Sequence, residues 1–167
     1  EEFETLLDKK IALTSKNAVF SLNSEVINLA GVVGGKSTSC SVNTKTVIVE
    51  CAFFQPEAII GKSVKYDIQS EASHKFERGV DPDCHDRVLR RFIKLVSEHT
   101  NIKDMSIISY KSKDNPIHQI PVNVKKINQI IGINICEKEY LNSLSKLGFV
   151  VEEGYIKVPS FRSDIKT

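Results

Sequence analysis

Residues 46–54 read Thr-Val-Ile-Val-Glu-Cys-Ala-Phe-Phe and form the most strand-like stretch of this 167-residue chain. Successive side chains of a strand point to opposite faces, and here both faces are apolar apart from Glu50. We therefore predict a strand covered on both sides. A carboxylate in such a wall needs a cationic partner, several hydrogen-bond donors or access to a cavity, because an unpaired buried charge is costly. The pattern leaves a salt bridge to Lys62 or Arg78 and a functional role equally open.

The segments around this stretch predict further short strands and helices. Residues 1–29 predict short strands separated by polar turns, and a glycine-rich segment and a polar loop lead to residue 46. The predicted elements beyond are a helix over 57–66, an amphipathic helix over 82–99 begun by Asp81 as N-cap and Pro82, and a strand over 105–110. Asp67 lies near the end of the first helix.

A polar break at residues 111–116 predicts a domain boundary, with one domain over 1–116 and a second over 117–167. The second domain predicts a strand, two short helices closed by Gly132 and Gly148, and a hairpin. The expected fold class is α+β: a mixed sheet with flanking helices, followed by a small winged-helix-like domain.

Composition excludes several function classes. Apolar residues make up 41% of the chain and charged residues 26%, as is ordinary for a globular protein. No apolar run has the length of a membrane-spanning helix. The four cysteines have no metal-binding spacing, so we expect reduced cysteines in a cytoplasmic protein. A net charge of +2 argues against a nucleic-acid grip driven by charge alone. The start lacks Met and a signal peptide, so we expect a piece of a longer chain.

Two motif-like stretches do not support common enzyme classes. Residues 30–37 fit a loose nucleotide-binding loop, but the residues after them have no helical period, so we expect no ATP or GTP loop there. Ser70 and His74 lie close in sequence, but no Gly-x-Ser-x-Gly turn surrounds the serine, and we expect no covalent nucleophile. We interpret Arg78 as a structural clamp on neighbouring carboxylates or carbonyls.

The glycines of residues 31–35 have two interpretations that the sequence leaves open. Glycine allows a tight turn between strands, because it adopts backbone conformations that other residues avoid. Alternatively, the missing side chains let a ligand lie against bare backbone.

Taken together, three blocks and the tail resemble the beta subunit family of bacterial-type phenylalanyl-tRNA synthetases. The blocks are residues 29–35, 49–54 and 70–82, and they match that family's B3/B4 editing domain in order and spacing. The third block ends in the specific run Phe-Glu-Arg-Gly-Val-Asp-Pro. In the tail, Gly132 and residues 147–149 and 158–164 resemble the B5 domain that follows. The resemblance thus covers nearly the whole chain.

The resemblance implies a proofreading site that removes tyrosine wrongly attached to tRNA(Phe). Carried over by position, Glu50 would bind the tyrosine para-hydroxyl, with no residue acting as a covalent catalyst. The other implied substrate-binding residues are Gly31, Gly34, Gly35 and Ala72, which would line the pocket, and Ser70, which stands in the place of a threonine. Asp164 matches an aspartate implicated in binding magnesium.

The resemblance also implies a larger assembly. The full enzyme would be a phenylalanine–tRNA ligase of two alpha and two beta subunits that uses ATP, Mg²⁺ and tRNA(Phe) in protein biosynthesis. The chain alone should bind no cofactor and be inactive, because the family's N-terminal half of the editing domain supplies histidine and arginine site residues. The alternative is a non-catalytic module that binds RNA or protein through the winged-helix-like tail.

Overall fold

Two small antiparallel sheets begin the chain in the computed structural model, which describes residues 1–112 and 114–165. β1 (Glu2–Glu4) pairs with β2 (Lys10–Ala12), and β4 (Glu25–Leu29) lies between β3 (Val19–Leu22) and β5 (Val33–Gly34). A bridge between Thr5 and Gly35 connects the two sheets. Together with the helices below, they confirm the α+β class. The pairings among the described residues are antiparallel, where the sequence suggested a mixed sheet.

One apolar core holds these sheets together within the first of two structural units, Glu1–Val80. Phe3 and Ile11 alternate with exposed neighbours, so β1 and β2 each bury one face. Leu29 and Val32 extend the core from the end of β4, and Ile59 is only 1% exposed.

The helix predicted over 57–66 is two short helices, α1 (Pro56–Ile59) and α2 (Lys62–Tyr66). Gly61 separates them with a φ of +77°, a left-handed conformation that glycine adopts without a Cβ clash. Asp67 ends α2 at a φ of +50°, a left-handed conformation that aspartate tolerates. The Lys9 ammonium donates to the Asp67 carboxylate at 2.7 Å and to its carbonyl at 2.8 Å.

The prediction of a covered strand over 46–54 is wrong. This segment pairs with no strand among the described residues, and Ile48 is 82% exposed. Glu50 is also exposed, while residues 51–54 are half-buried. A strand requires a neighbour that receives its backbone N–H and C=O groups, and apolar β-branched residues do not supply one by themselves. The strand predicted over 105–110 is wrong for the same reason, and Ile108 there is 94% exposed.

Helix α3 (Glu71–Phe76) is the last helix of the first unit. The second unit begins at Asp81, and its first helix is the amphipathic helix α4 (His85–Ser97). Its N-cap is Cys84 and not Asp81 as predicted. The Asp81 carboxylate instead accepts a hydrogen bond from the Asp83 backbone N–H at 3.0 Å, which makes a turn before the helix.

The end of the chain forms the strand, helix pair and hairpin that the sequence predicts. These elements are β6 (Gln119–Pro121), α5 (Val124–Ile131), α6 (Glu137–Lys146), β7 (Val150–Glu152) and β8 (Tyr155–Lys157). The strands form an antiparallel sheet in the order β6-β8-β7. Gly132 and Gly148 follow the helices at φ values of +76° and +89°, which confirms their predicted role. Phe149, Ile156 and Val158 form the core.

The structural units divide after Val80, and the domain boundary expected at residues 111–116 remains a prediction. Among the helices of the described residues, none combines the length and apolar character needed to cross a membrane.

Substituting Gly31 tests the packing around the turn after β4. Its φ is +68°, and an added Cβ would lie 2.7 Å from Ile59 Cδ1 and 2.9 Å from Phe54 Cδ2. Left-handed strain plus overpacking predicts that Gly31→Ala lowers the free energy of unfolding by about 3 kcal/mol. Gly61→Ala is the matched control, because its φ is +77° with no atom within 4 Å of the added Cβ. It should cost about 1 kcal/mol. Urea unfolding followed by circular dichroism measures both, and equal losses would contradict the packing argument.

Candidate functional site

The candidate site is built on the turn between β4 and β5, at residues 30–32. The Val32 N–H donates to the Leu29 carbonyl at 2.9 Å, and Gly31 takes the left-handed conformation that closes the turn. Ile59 and Phe54 fill the space that a Gly31 side chain would need. Glycine is therefore required here both by backbone conformation and by packing.

Helix α3 is fixed to this turn by Ser70. The Ser70 hydroxyl donates to the Val32 carbonyl at 2.6 Å and accepts from the Ser73 N–H at 3.0 Å. The Ser73 hydroxyl lies 3.3 Å from the Ser70 N–H, so the two serines cap the helix reciprocally. Ser73 is 2% exposed. Ala72, in the first turn of α3, is half-buried beside this cap.

Phe54 holds residues 51–54 between β3 and α3. Its ring makes edge-to-face contacts with Phe76 at a centroid distance of 4.9 Å and with Phe20 at 6.2 Å. Such aromatic pairs contribute more than their buried area alone. The segment therefore has a fixed position at its end, although it is not part of a sheet.

Glu50 precedes this anchored segment and makes no ion pair among the described residues. Its Oε2 accepts a hydrogen bond from Asn28 Nδ2 at 3.4 Å, and Asn28 lies opposite Gly34 in the β4–β5 register. Although Glu50 is exposed at the surface, neighbouring atoms remove enough water to raise the pKa of its carboxyl group. The carboxylate thus contacts β4, the strand that pairs with β5, and is not neutralised by a cation.

The cations that could have paired with Glu50 have other partners. The Arg78 guanidinium donates to the Glu77 carboxylate at 3.0 Å and to the His74 carbonyl at 2.8 Å, which confirms its structural clamp. The Lys62 ammonium donates to the Lys16 carbonyl at 3.3 Å. The salt-bridge interpretation of Glu50 is therefore wrong for both candidates.

The other two glycines of the segment also have filled surroundings. A Cβ on Gly34 would lie 3.0 Å from Leu6 Cδ1, and one on Gly35 would lie 2.8 Å from the Ile27 carbonyl oxygen. The space of the missing side chains is thus used for packing, and a ligand would have to meet these glycines from another side. Their role in lining a pocket stays a prediction, as does that of Ala72.

The lysine of the nucleotide-loop-like stretch is held by carboxylates. Lys36 Nζ lies 3.0 Å from Glu4 Oε1 and 2.6 Å from Asp8 Oδ1, and these hydrogen bonds raise the pKa of Lys36 to about 12. No helix begins directly after this loop, since the next element among the described residues is α1 at Pro56, whereas a phosphate-binding loop opens a helix. The absence of a nucleotide site here stays a prediction.

Asp164 in the second unit has an ion-pair partner. Arg162 donates to both its carboxylate oxygens, at 2.9 Å and 2.8 Å, and this contact lowers the pKa of Asp164. Within the described residues, no group of three or more His, Cys, Asp or Glu side chains could hold a metal ion. These residues alone do not fit a magnesium site, because Mg²⁺ would have to displace Arg162 and find further oxygen ligands.

Three features of the site were not predicted from the sequence: the Asn28 contact, the Phe54 aromatic cluster and helix α3. The repeat of serine at positions 70 and 73 is a variant of the capping-box pattern and could have indicated the helix. The other two features depend on contacts between distant segments and leave no local signal.

Comparison with known families covers most of the chain. Residues 1–101 match the family model of the B3/4 domain, and residues 120–167 match that of the tRNA synthetase B5 domain. The chain therefore belongs to the B3/4 domain family, with a tRNA synthetase B5 domain after it.

The curated relatives agree with this assignment. The chain is 33% identical over 171 residues to the phenylalanine–tRNA ligase beta subunit of Methylococcus capsulatus, covering 99% of this chain and 22% of that protein. It is 35% identical over 157 residues to that of Shewanella oneidensis, covering 92% and 20% respectively. The resemblance inferred from the sequence is confirmed. The chain spans about a fifth of the length of these relatives.

Removing the Ser70 hydroxyl should weaken the attachment of α3 to the turn. Ser70→Ala loses the helix cap and the bond to Val32, so we expect a loss of about 1–2 kcal/mol in the free energy of unfolding. Ser70→Thr keeps a hydroxyl and serves as the control, with a loss below about 0.5 kcal/mol. Urea unfolding checks both, and an alanine variant as stable as the threonine variant would refute the attachment.

Neutralising Glu50 should stabilise the fold in a pH-dependent manner. Burial raises the pKa of the Glu50 carboxyl group in the folded protein above its value in the unfolded chain. Protonated Glu50 therefore favours the folded state, and this stability is fully present below the unfolded pKa and is lost as pH rises through the folded pKa. Glu50→Gln does not lose this stability, because glutamine does not ionise. Its melting temperature relative to wild type should therefore be higher at about pH 7 than at about pH 4. The control is Glu25→Gln, at an exposed position. If the difference in melting temperature between Glu50→Gln and wild type were equal at both pH values, burial of the Glu50 carboxyl group would not be the cause.

Proposed function

We propose that this chain is part of a phenylalanine–tRNA ligase beta subunit and that its first unit contributes to the hydrolysis of tyrosine misattached to tRNA(Phe). The observation that carries the proposal is the position of Glu50. Its carboxylate is unpaired with any cation in the described structure and is hydrogen-bonded to Asn28 of β4, the strand that pairs with β5. A carboxylate in this state can accept a hydrogen bond from a phenol.

A hydroxyl group is all that distinguishes tyrosine from phenylalanine, and a second site can test for it after the ester has formed. The tyrosine phenol would donate to Glu50, whereas phenylalanine would leave the carboxylate without that partner. An unmet acceptor in a partly desolvated site costs on the order of 1–3 kcal/mol. The raised pKa of Glu50 supports the view that water is already partly removed from this carboxylate. Binding of tyrosine would therefore be favoured over binding of phenylalanine at this site.

Hydrolysis at this site needs no covalent nucleophile. The aminoacyl ester is already activated, so a positioned water and backbone donors suffice. The Ser70 hydroxyl at the turn donates a hydrogen bond to the Val32 carbonyl at 2.6 Å and accepts one from the Ser73 N–H at 3.0 Å. With both functions of the hydroxyl occupied, Ser70 acts as a positioning residue for α3.

The remaining parts of the proposal rest on the family resemblance together with the names of the relatives. A beta subunit implies an alpha-subunit partner, and a tRNA ligase implies tRNA(Phe) and ATP as substrates, with Mg²⁺ accompanying ATP. We place this assembly of two alpha and two beta subunits in the cytoplasm. Asp164 stays a proposed magnesium ligand only if other parts of the assembly supply the oxygen atoms that its surroundings lack.

The Glu50 role is testable in the full-length parent enzyme. Glu50→Ala removes the acceptor for the phenol, so hydrolysis of Tyr-tRNA(Phe) should fall about 5-fold to 150-fold, which corresponds to 1–3 kcal/mol. Attachment of phenylalanine to tRNA(Phe) should keep its rate, because that reaction takes place elsewhere. Both rates are measured with radiolabelled amino acids.

The matched control for this experiment is Glu25→Ala, which removes an exposed carboxylate at the start of β4. It should hydrolyse Tyr-tRNA(Phe) as the parent enzyme does. If Glu50→Ala also retained full hydrolysis and full preference for tyrosine over phenylalanine, the proposed role of Glu50 would be wrong.

A further inference from the structure

A group of three lysines in the first unit has no carboxylate partners. Among the described residues, Lys9, Lys10, Lys36 and Lys75 each form a salt bridge within this unit. Lys16, Lys45, Lys62 and Lys65 form none, and three of these, Lys16, Lys62 and Lys65, belong to two segments that contact each other. Their positive charge is therefore uncompensated, although the chain as a whole carries a net charge of only +2.

The three lysines lie at one place on the surface. Lys62 and Lys65 are three residues apart on α2, which puts them on the same side of the helix. The Lys62 ammonium donates to the Lys16 carbonyl at 3.3 Å, so the turn that carries Lys16 lies against α2. The Lys65 ammonium lies 4.9 Å from the centroid of the Tyr66 ring.

A hydrogen-bond network fixes this turn to α2. Asn17 Oδ1 accepts from the Thr14 N–H at 2.9 Å, from the Thr14 hydroxyl at 3.0 Å and from the Tyr66 hydroxyl at 2.7 Å. Tyr66 is itself buried in the core. The backbone under the lysines is thus held rigidly, while the side chains of Lys16 and Lys65 are exposed.

The electrostatic effect of this group is visible at Tyr66. Burial would raise the pKa of the Tyr66 hydroxyl, but the contacts with Lys65 and Asn17 and the charges of Lys65 and Lys62 lower it below its ordinary value. No acidic residue contributes to that balance. Ammonium groups without carboxylate partners on two contacting segments favour a partner with repeated negative charges.

We propose that Lys16, Lys62 and Lys65 form a contact surface for the phosphate backbone of RNA. Flexible lysines on a fixed base suit phosphates better than base edges, since an ammonium group binds as a point charge without reading sequence. The identification of the polyanion as RNA rests on the proposed function, in which a tRNA is the substrate. The surface would position the tRNA and not select its amino acid.

The test measures binding of uncharged tRNA to the 167-residue chain over a series of salt concentrations. The triple variant Lys16→Gln, Lys62→Gln, Lys65→Gln removes up to three phosphate contacts. Binding should weaken, and the slope of log K against log salt should become shallower by about 2–3. The variant with arginine at the same three positions should keep the slope. An unchanged unfolding midpoint shows that the fold is intact.

The matched control is Lys125→Gln, Lys126→Gln, Lys138→Gln, which removes the same charge from exposed positions in the second unit. It should keep the slope of the parent chain. An equal loss in both triple variants, or an unchanged slope in the first, would overturn the proposal. Vesicles of phosphatidylcholine and phosphatidylserine form a further arm, and lysine-dependent binding to them without tRNA binding would also overturn it.

The tRNA-binding measurement, compared with the Tyr-tRNA(Phe) hydrolysis assay, separates this surface from the proofreading proposal. Glu50→Ala should bind uncharged tRNA like the parent chain, because the phenol contact is absent. If the lysine triple lost no affinity while Glu50→Ala impaired Tyr-tRNA(Phe) hydrolysis, this inference alone would fail. The reverse pattern would leave the lysine surface intact and remove the role of Glu50.

Discussion

The hydrogen bond from the Ser70 hydroxyl to the Val32 carbonyl, 2.6 Å long, is the contact on which the candidate site depends. It fixes the start of α3 to the turn between β4 and β5, and that turn can form only because Gly31 has no side chain to displace Ile59 and Phe54. Phe54 in turn contacts Phe76 of the same helix. One small region of packing therefore connects β4 and β5, the turn between them, α3 and residues 51–54.

Elements with local signals were well predicted from the sequence. The second domain shows this best, since Gly132 and Gly148 end its helices where the apolar periodicity stops. The segment at 46–54 shows the limit, because its β-branched residues indicate a strand but cannot indicate a neighbour. Gly61 is a further case, because this left-handed residue, after Ile60 at a ψ of 131°, divides the stretch that the sequence predicts as one helix.

The candidate site was predicted in part. Glu50 was identifiable as the single charge in an apolar run, but its partner Asn28 is 22 residues away on β4 and has no signal in the local pattern. The glycines could be read either as a turn or as a ligand surface, and the structure shows the packing that makes Gly31 and Gly35 necessary. The family itself followed from the order and spacing of whole blocks, which no single residue carries.

The central claim is that the Glu50 carboxylate accepts a hydrogen bond from the tyrosine hydroxyl. A crystal structure of the full-length parent enzyme with an adenosine that carries tyrosine through a non-hydrolysable 3′-amide tests this most directly. The account predicts that the phenol oxygen lies within about 3 Å of a Glu50 carboxylate oxygen, next to the β4–β5 turn. A phenol bound elsewhere, or a Glu50 paired with a cation in that complex, would contradict it.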